Sequence, residues 1–205
     1  MSFNVGVIDY GAGNLRSVYN TFSSIGVEPV MISSPEQLEG ITHLVLPGVG
    51  SFGDCARKLR EQDLEQAIKD WISEDKPFLG ICVGYQILFE RGEEDLDVPG
   101  LGIFKGKVVK FRTDGTDLKV PHMGWNEVSI HDAEDPIWEG IGGNPYFYFV
   151  HSYYPEVEDA SLIAGVCHYG IDFAAAIRRG NLLATQFHPE KSQKLGALLL
   201  SNFIK

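Results

Sequence analysis

A cysteine between two glycines is the first feature of the sequence that indicates chemistry. The segment Phe78-Leu-Gly-Ile-Cys82-Val-Gly-Tyr-Gln86 passes from a strand-like stretch through Cys82 into a helical one. This is the strand–turn–helix arrangement that holds a nucleophile on a sharp turn, with glycines two residues away on either side. A helix that begins behind such a thiol favours the thiolate and offers N–H groups to an oxyanion. The alternative is a structural cysteine, since cysteine is among the most buried residue types.

The partners that a cysteine nucleophile needs stand near the end of the sequence. A strand predicted over residues 183–186 ends just before His188, and Glu190 follows two residues later. Ligands of α/β sheets bind beyond the carboxyl ends of the strands, which is where both side chains are expected. A carboxylate at this spacing can orient the imidazole and select its tautomer, as the third member of a triad must. A lone histidine is more often structural, but the cysteine turn favours a Cys82–His188–Glu190 triad.

The elements that would position these residues alternate between strand and helix in the first half of the chain. Apolar runs predict strands, at residues 3–9, 30–32, 43–46 and 78–81. Helical spacing predicts helices from Leu15 to Gly26, around Pro35, from Leu64 to Ile72, and from Cys82 to about Glu90. This order predicts a parallel sheet with helices on both faces.

The second half contains strand-like pieces separated by turn signals. They lie at residues 108–111, 126–130, 146–150, 162–167, 173–178 and 183–186, before a helix over residues 194–204. Asp114-Gly115 and Arg179-Gly180-Asn181 resemble hairpin turns. We therefore predict an α/β fold with a mainly parallel central sheet flanked by helices and an antiparallel extension. Since no repeat or linker is apparent, residues 1–205 are expected to form a single domain.

Composition excludes several classes of function. The chain has 205 residues, 44% of them hydrophobic, and a net charge of −11, so neither nucleic acid nor an anionic membrane is an expected partner. It has no basic-then-apolar start and no run of about 18 apolar residues, so secretion is not expected. The three cysteines fit neither a disulfide framework nor a metal site, and the six histidines fall singly. A cytoplasmic protein without a bound metal is the expectation.

The two motifs together resemble a known signature. Gly80-Ile-Cys82-Val-Gly84-Tyr-Gln86 and Gln186-Phe-His188-Pro-Glu190 are similar to the motifs of class I glutamine amidotransferases. The resemblance covers nearly the whole chain and implies the flavodoxin-like fold of that family. It implies that Cys82 forms a glutamyl thioester, that His188 acts as base and then acid, and that Glu190 orients the imidazole. L-glutamine would be hydrolysed to glutamate and ammonia without a cofactor.

An oxyanion hole and a glutamine pocket are implied as well. The N–H of Val83 is one natural oxyanion donor, and the second is expected from Val49 or Gly50, after a peptide flip if one is needed. The alternative is that the segment Pro47-Gly48-Val49-Gly50 forms an ordinary tight turn with no role in catalysis. Residues expected to contact glutamine are Gly48, Gln86, Glu94, Ser152 and Tyr153. Glu94 belongs to an acidic run that could instead be a solvated helix end.

Several separated segments narrow the resemblance to one kind of glutaminase. They are Ile8-Asp9-Tyr10-Gly11-Ala-Gly13-Asn14, Leu46-Pro47-Gly48-Val49-Gly50, Pro121-His122-Met123-Gly124-Trp125-Asn126, Phe149-Val150-His151-Ser152-Tyr153 and His188-Pro189-Glu190-Lys191-Ser192. They are similar to the glutaminase subunits of imidazole glycerol phosphate synthase, in histidine biosynthesis. This implies a heterodimer with a (β/α)₈ cyclase subunit that receives the ammonia through its barrel. The expected partner-facing residues are Asn14, Met123, Trp125 and Lys191, with core packing as the alternative for Met123 and Trp125.

Three other interpretations remain open from the sequence. A cysteine hydrolase or peptidase of the same fold is disfavoured by Gln86, the Pro-Gly-Val-Gly loop and the His-Pro-Glu segment. A binding module that has lost catalysis is disfavoured because all three triad residue types are present. A glutaminase of another pathway, such as pyridoxal phosphate synthesis, is the nearest alternative. A chain of 205 residues leaves no room for a synthetase, so a separate acceptor chain is expected.

Overall fold

The computed structural model describes residues 3–11, 14–112 and 118–205. In chain order the strands are β1 (Val5–Ile8), β2 (Val30–Ile32), β3 (His43–Gly48), β4 (Phe78–Cys82), β5 (Phe89–Gly92), β6 (Asp95–Pro99), β7 (Phe104–Lys110), β8 (His122–Glu127), β9 (Ser129–Ile130), β10 (Tyr146–His151), β11 (Tyr153–Val157), β12 (Ile163–His168), β13 (Asp172–Arg179) and β14 (Leu182–Thr185). The α-helices are α1 (Leu15–Ser24), α2 (Phe52–Glu61), α3 (Leu64–Ser73), α4 (Val83–Gln86) and α5 (Gln193–Phe203). Gly13 and the turn predicted at Asp114-Gly115 lie outside the described residues.

The largest sheet among these residues has eight strands, in the order β2-β1-β3-β4-β14-β13-β12-β9. The first five are parallel, and the last three continue the sheet in antiparallel pairing. The parallel part has the strand order of flavodoxin-like doubly wound folds. The predicted α/β fold with a mainly parallel sheet and an antiparallel extension is confirmed.

This strand order brings the ends of three strands to one place. Gly48 at the end of β3 is in register with Cys82 at the end of β4. On the other side of β4, Ile81 is in register with Thr185 at the end of β14. The loops that follow β3, β4 and β14 therefore meet at one edge of the sheet.

The central strands are apolar because helices cover the sheet on both faces. Every residue of β1, β3, β4 and β14 is buried, as expected for parallel strands inside an α/β fold. Each long helix buries one stripe, such as Val18 and Phe22 of α1 and Ile68 and Trp71 of α3. No helix in the described ranges is long and apolar enough to span a membrane.

Two smaller sheets lie beside the main one. Strands β8 and β10 form an antiparallel pair, and the second small sheet has the order β11-β7-β5-β6. The strands β6 and β11 were not predicted. The hairpin predicted at Arg179-Gly180-Asn181 is confirmed, because Arg179 pairs with Leu182 and Gly180 has a φ of 54°.

The helix predicted from Cys82 to about Glu90 is present but shorter than predicted. It ends at Gln86, and the chain turns into β5, whose backbone pairs with distant segments. The N–H of Leu101 donates to the carbonyl of Ile87, and the N–H of Gly100 to that of Glu90. These long-range hydrogen bonds outweigh local helical propensity. Glu94 consequently lies in the turn between β5 and β6, so the alternative of a solvated helix end is excluded.

Helix α2 was missed because its first residues belong to a glycine-containing stretch that predicts a loop. Its buried side chains nevertheless recur at helical spacing, at Phe52, Cys55, Ala56 and Leu59. The hydroxyl of Ser51 accepts a hydrogen bond from the N–H of Asp54, which caps the helix. The helix begins at Phe52, just after the Pro-Gly-Val-Gly segment.

Candidate active site

Cys82 occupies a strained backbone position at the junction of β4 and α4. Its φ is 55° and its ψ is −109°, a positive φ that residues other than glycine seldom adopt. Such a conformation persists only when the surroundings hold it in place, and it occurs mainly at functional sites. The backbone therefore has the sharp turn expected of a nucleophile rather than that of an ordinary strand end.

The glycines around Cys82 are required by close backbone contacts. A Cβ atom on Gly84 would overlap the carbonyl oxygen of Leu46 in β3. One on Gly48 would overlap the backbone nitrogen of Gly84. The loop after β3 can lie against the start of α4 only because neither residue has a side chain.

Replacing Gly84 by alanine is expected to destabilise the protein by about 1–3 kcal/mol, as overpacking of a well-packed interior does. The new Cβ must displace the Leu46 carbonyl and with it the loop facing Cys82. Urea unfolding followed by circular dichroism measures the change. The matched control is Gly143→Ala, since a Cβ there has nothing within 4 Å. Equal stabilities of the two variants would contradict this account of the turn.

His188 and Glu190 form a buried pair next to this turn. The Nδ1 atom of His188 lies 2.7 Å from Oε1 of Glu190, and the two side chains are 1% and 2% exposed. The hydroxyl of Ser192 donates to the carbonyl of His188 at 2.6 Å, which anchors the loop. Because Nδ1 is occupied by Glu190, the nitrogen available to Cys82 is Nε2. It has no hydrogen-bond partner among the described residues.

The electrostatics of the pair favour a charged imidazole. Burial by itself would lower the pKa of His188, but the neighbouring Cys82 sulfur and the Glu190 carboxylate outweigh it and raise the pKa to about 10. His188 is therefore an imidazolium at neutral pH. A positive charge beside the sulfur stabilises a thiolate, which is the nucleophilic form of cysteine.

A cavity of about 490 Å³ opens onto Cys82 and His188. The other predicted residues that line it are Asn14, Val49, Gly50, Val83, Gln86, Glu94, Ser152, Tyr153 and Lys191. Four predicted residues do not line it: Gly48, Glu190, Met123 and Trp125. The structure thus brings most of the predicted site to one cavity, with Glu190 behind His188 and Gly48 beside Cys82 in the sheet. No group of three or more His, Cys, Asp or Glu side chains in the described ranges could hold a metal ion.

Two of the lining side chains already make structural hydrogen bonds. Oε2 of Glu94 accepts from the N–H of Phe52 at 2.7 Å and so ties the β5–β6 turn to the start of α2. The Nε2 atom of Gln86 donates to the carbonyl of Tyr153 at 2.9 Å. Both residues therefore hold the cavity wall as well as contributing polar atoms to it.

Gln186 lies within the quoted motif, but its residue type and position predicted no role for it. Its amide Nε2 lies 3.7 Å from the sulfur of Cys82, and its Oε1 accepts from Gln86 at 3.0 Å. The available signal was a polar residue at the end of an apolar strand, two residues before His188 and hence on the same side of the chain. Tyr10 was also missed: its hydroxyl donates to the carbonyl of Pro47 at 2.8 Å and supports the loop after β3.

An exposed apolar surface borders the cavity. Met123 and Trp125 on β8 are 62% and 46% exposed, so the alternative of core packing is wrong for both. Tyr148 of β10 is in register with Trp125, and the Lys191 ammonium lies 5.9 Å from the centre of its ring. Asn14, which also lines the cavity, is exposed as well.

Comparison with known proteins agrees with this geometry. A family model described as glutamine amidotransferase class-I matches residues 6–205. The chain belongs to the class-I glutamine amidotransferase family.

Two curated relatives show which members of that family this chain resembles. The chain is 49% identical over 197 residues to the imidazole glycerol phosphate synthase subunit HisH of Rhodopirellula baltica, covering 96% of this chain and 95% of the relative. It is 45% identical over 204 residues to the same subunit of Geobacter sulfurreducens, covering 97% of each. Such matches over nearly full length place the chain among the HisH subunits.

The fold is shared with more distant solved structures. The structure of PurLQS from Thermotoga maritima superposes with a TM-score of 0.77 at 19% identity, covering 99% of this chain and 98% of that chain. At this level of identity the likeness supports the α/β fold alone.

Proposed function

We propose that this chain is the glutaminase subunit of an imidazole glycerol phosphate synthase in histidine biosynthesis. It hydrolyses L-glutamine to glutamate and ammonia, and the ammonia passes to a cyclase subunit. The observation that carries the proposal is Cys82, strained at the end of β4 and facing an imidazolium that a buried carboxylate holds. The full-length similarity to HisH subunits supports the choice of pathway.

The triad provides each step of the hydrolysis. The Cys82 thiolate adds to the carboxamide carbon of glutamine, and the carbonyl oxygen becomes an oxyanion. His188 gives its Nε2 proton to the nitrogen, which leaves as ammonia and yields a glutamyl thioester. The neutral imidazole then takes a proton from water as the water adds to the thioester. Collapse of this second intermediate releases glutamate and restores the thiolate–imidazolium pair, with Glu190 holding the ring throughout.

The oxyanion is assigned to backbone donors on two loops. The N–H of Val83 is one, at the start of α4. The carbonyl of Val49 accepts a hydrogen bond from the Cys55 thiol at 3.7 Å. Since the C=O and N–H of a trans peptide point in opposite directions, the Gly50 N–H points away from Cys55. Val49 and Gly50, which both line the cavity, are the candidates for the second donor.

The substrate is assigned to the polar atoms around the cavity. The Glu94 carboxylate matches the ammonium group of glutamine by charge. The Gln86 side chain and the main chain of Ser152 and Tyr153 supply neutral hydrogen-bonding groups. Gly48 contributes indirectly, since its lack of a side chain lets the end of β3 lie against Val83 and Gly84 beside Cys82.

The cyclase partner is assigned to the exposed surface of β8 and β10. Met123 and Trp125 are apolar side chains of the kind enriched in interface centres, and Asn14 and Lys191 provide polar contacts beside the cavity. A partner bound there would cover the cavity mouth and receive ammonia without loss to water. The cytoplasm is the proposed compartment, since Cys55, Cys82 and Cys167 are all free thiols.

The proposal is tested by measuring glutamate release from L-glutamine by the isolated chain, by the chain with a cyclase subunit, and by the complex with the nucleotide substrate of the cyclase. Weak activity alone and strong stimulation in the loaded complex are expected, because the partner covers the cavity lined by Asn14 and Lys191. Robust turnover that does not respond to the partner would contradict partner control. No glutamate release in any mixture would contradict the activity itself.

Substitutions of the cavity-lining residues Asn14 and Lys191 test which side chains couple partner binding to glutaminase activity. Alanine at Asn14 or Lys191 is expected to reduce stimulation while the subunits still associate, which analytical ultracentrifugation would show. Val30→Ala is the matched control, since Val30 is 49% exposed on β2, at the edge of the main sheet and outside the β8–β10 pair. Unchanged stimulation in both the Asn14 and the Lys191 variants would exclude their coupling role.

A further inference from the structure

Two buried histidines, His122 and His151, lie in contact next to the site. The hydrolytic steps described above assign no role to either of them. Nδ1 of His122 is 2.9 Å from Nε2 of His151. They are in register on the antiparallel strands β8 and β10, and both are buried. Each strand therefore carries one histidine inward, while the neighbouring Met123 of β8 points outward to the exposed surface.

The hydrogen bonds at the two ends of this pair define its tautomers. The Asn126 amide is oriented by its own contacts: its oxygen accepts from the N–H of Glu127, and its Nδ2 donates to the carbonyl of His168. That Nδ2 lies 3.2 Å from Nε2 of His122, which must therefore accept. At the other end, Nδ1 of His151 lies 2.8 Å from the carbonyl of Tyr153 and must donate.

Only one combination of tautomers satisfies the hydrogen bonds that the pair makes with Asn126 and with Tyr153. His122 is neutral with its proton on Nδ1 and donates to Nε2 of His151. His151 is neutral with its proton on Nδ1 and donates to Tyr153. Burial agrees with neutrality, since it lowers the pKa of His122 to about 4 and that of His151 to about 3. Proton donation therefore runs in one direction, from Asn126 on β8 to the Tyr153 carbonyl at the cavity.

The same carbonyl connects the pair to the nucleophile. It also accepts from Nε2 of Gln86, and the second hydrogen of that amide reaches Oε1 of Gln186. Because the oxygen of Gln186 is occupied, its Nε2 faces the sulfur of Cys82 at 3.7 Å. One hydrogen-bonded series thus extends from β8, beneath the exposed Met123 and Trp125, to Cys82.

Among the described residues, aromatic side chains pack against both rings of the pair. Tyr169 and Phe149 stack on the two faces of His122, with ring centres 4.0 and 4.7 Å away. Phe111 and Phe173 lie 5.2 Å from the ring of His151. In this apolar setting a donor or acceptor that loses its partner is costly, so the series is sensitive to removal of one member.

We propose that His122 and His151 are positioning residues for glutamine hydrolysis, which hold the Ser152–Tyr153 main chain and the Gln86–Gln186 amides in place from strand β8. The inference rests on the proposed glutaminase function. His151 lines the cavity, and the ring pair acts through the Tyr153 carbonyl, which lies next to the proposed glutamine contacts. Their effect is therefore expected on glutamine affinity more than on turnover.

Two substitutions at His122 separate hydrogen bonding from packing. His122→Phe keeps a ring between Tyr169 and Phe149 but leaves Nε2 of His151 without a donor. His122→Asn keeps an amide N–H close to the position of Nδ1. In the complex with the cyclase and its nucleotide, the phenylalanine variant is expected to raise the KM for glutamine about tenfold, with kcat changed less than threefold. The asparagine variant is expected to stay within about threefold of the wild-type KM.

A packing control and a second measurement complete the test. Phe173→Leu, which removes a ring beside His151 without touching the hydrogen bonds, is expected to lower the melting temperature but not to change KM. Two-bond ¹H–¹⁵N spectra of the wild-type protein at neutral pH should show the Nδ1–H tautomer for both histidines. An imidazolium or Nε2–H form at either position would overturn the inference, as would equal KM values for the two His122 variants. Absence of glutaminase activity in the wild-type complex would instead count against the proposed function.

Discussion

Replacing Cys82 by alanine is expected to abolish glutamine hydrolysis, with a loss in kcat of at least about 10⁴-fold in the cyclase complex. Without the sulfur no thioester forms, and direct attack by water on a carboxamide is slow. The strained backbone at this position has no other evident use, and alanine removes only the sulfur atom. Glutamate release measured at saturating glutamine provides the value.

Two controls show that the loss is chemical. Cys167→Ala removes another buried thiol, on β12 and outside the cavity, and is expected to leave glutaminase activity within about twofold. The Cys82→Ala complex should still form the cyclase product when ammonia is supplied, because the acceptor site belongs to the partner. Retention of glutamine hydrolysis in the variant would exclude Cys82 as the nucleophile.

Replacing His188 by asparagine is expected to lower kcat by at least about 10³-fold, since the leaving ammonia then has no proton donor. Glu190→Gln is expected to cause a smaller loss, of about 10²–10⁴-fold, because the amide oxygen can still accept from Nδ1 but the charge is gone. The Glu190 carboxylate contributes to holding the pKa of His188 near 10. Its removal lowers that pKa, so the imidazolium is lost at lower pH.

The direction in which the kcat–pH profile shifts in Glu190→Gln distinguishes an electrostatic role of Glu190 from simple positioning of the His188 ring. The pKa of His188 is raised in the folded protein, so the protonated form persists at neutral pH and is lost as the pH rises through about 10. In Glu190→Gln the alkaline limb of the kcat profile should move to lower pH. Glu139→Gln is the matched control, a carboxylate 70% exposed and paired with Lys205 on the surface. An alkaline limb at the same pH in both variants would contradict the electrostatic role of Glu190.

Local sequence patterns were sufficient for the parts of the site that depend on neighbouring residues. The glycines around Cys82 indicated a sharp turn because such a turn needs them within a few residues. The spacing of His188 and Glu190 indicated their pairing, and the structure places them 2.7 Å apart. The strands β1, β3, β4 and β14 were recognised because parallel strands covered on both faces are apolar runs.

Patterns failed where distant pairing decides the local structure. The chain after Gln86 has helical spacing, yet it forms β5 because residues 100–104 supply its hydrogen bonds. Gln186 was overlooked because its contact with Cys82 exists only once β14 lies next to β4. The 46% exposure of Trp125 likewise depends on the pairing of β8 with β10, which no pattern near residue 125 encodes.

The sequence by itself therefore predicted the proposed nucleophile, its imidazole and carboxylate partners, and the class of fold, because each follows from residue type and short spacing. Tertiary structure alone decided that β14 lies beside β4, which brings His188 to Cys82. It also decided that His122, His151, Gln86 and Gln186 form one hydrogen-bonded series. The physical reason is that sheet order and cross-strand contacts arise from burial of the whole core, and no short segment encodes which distant strand will be its neighbour.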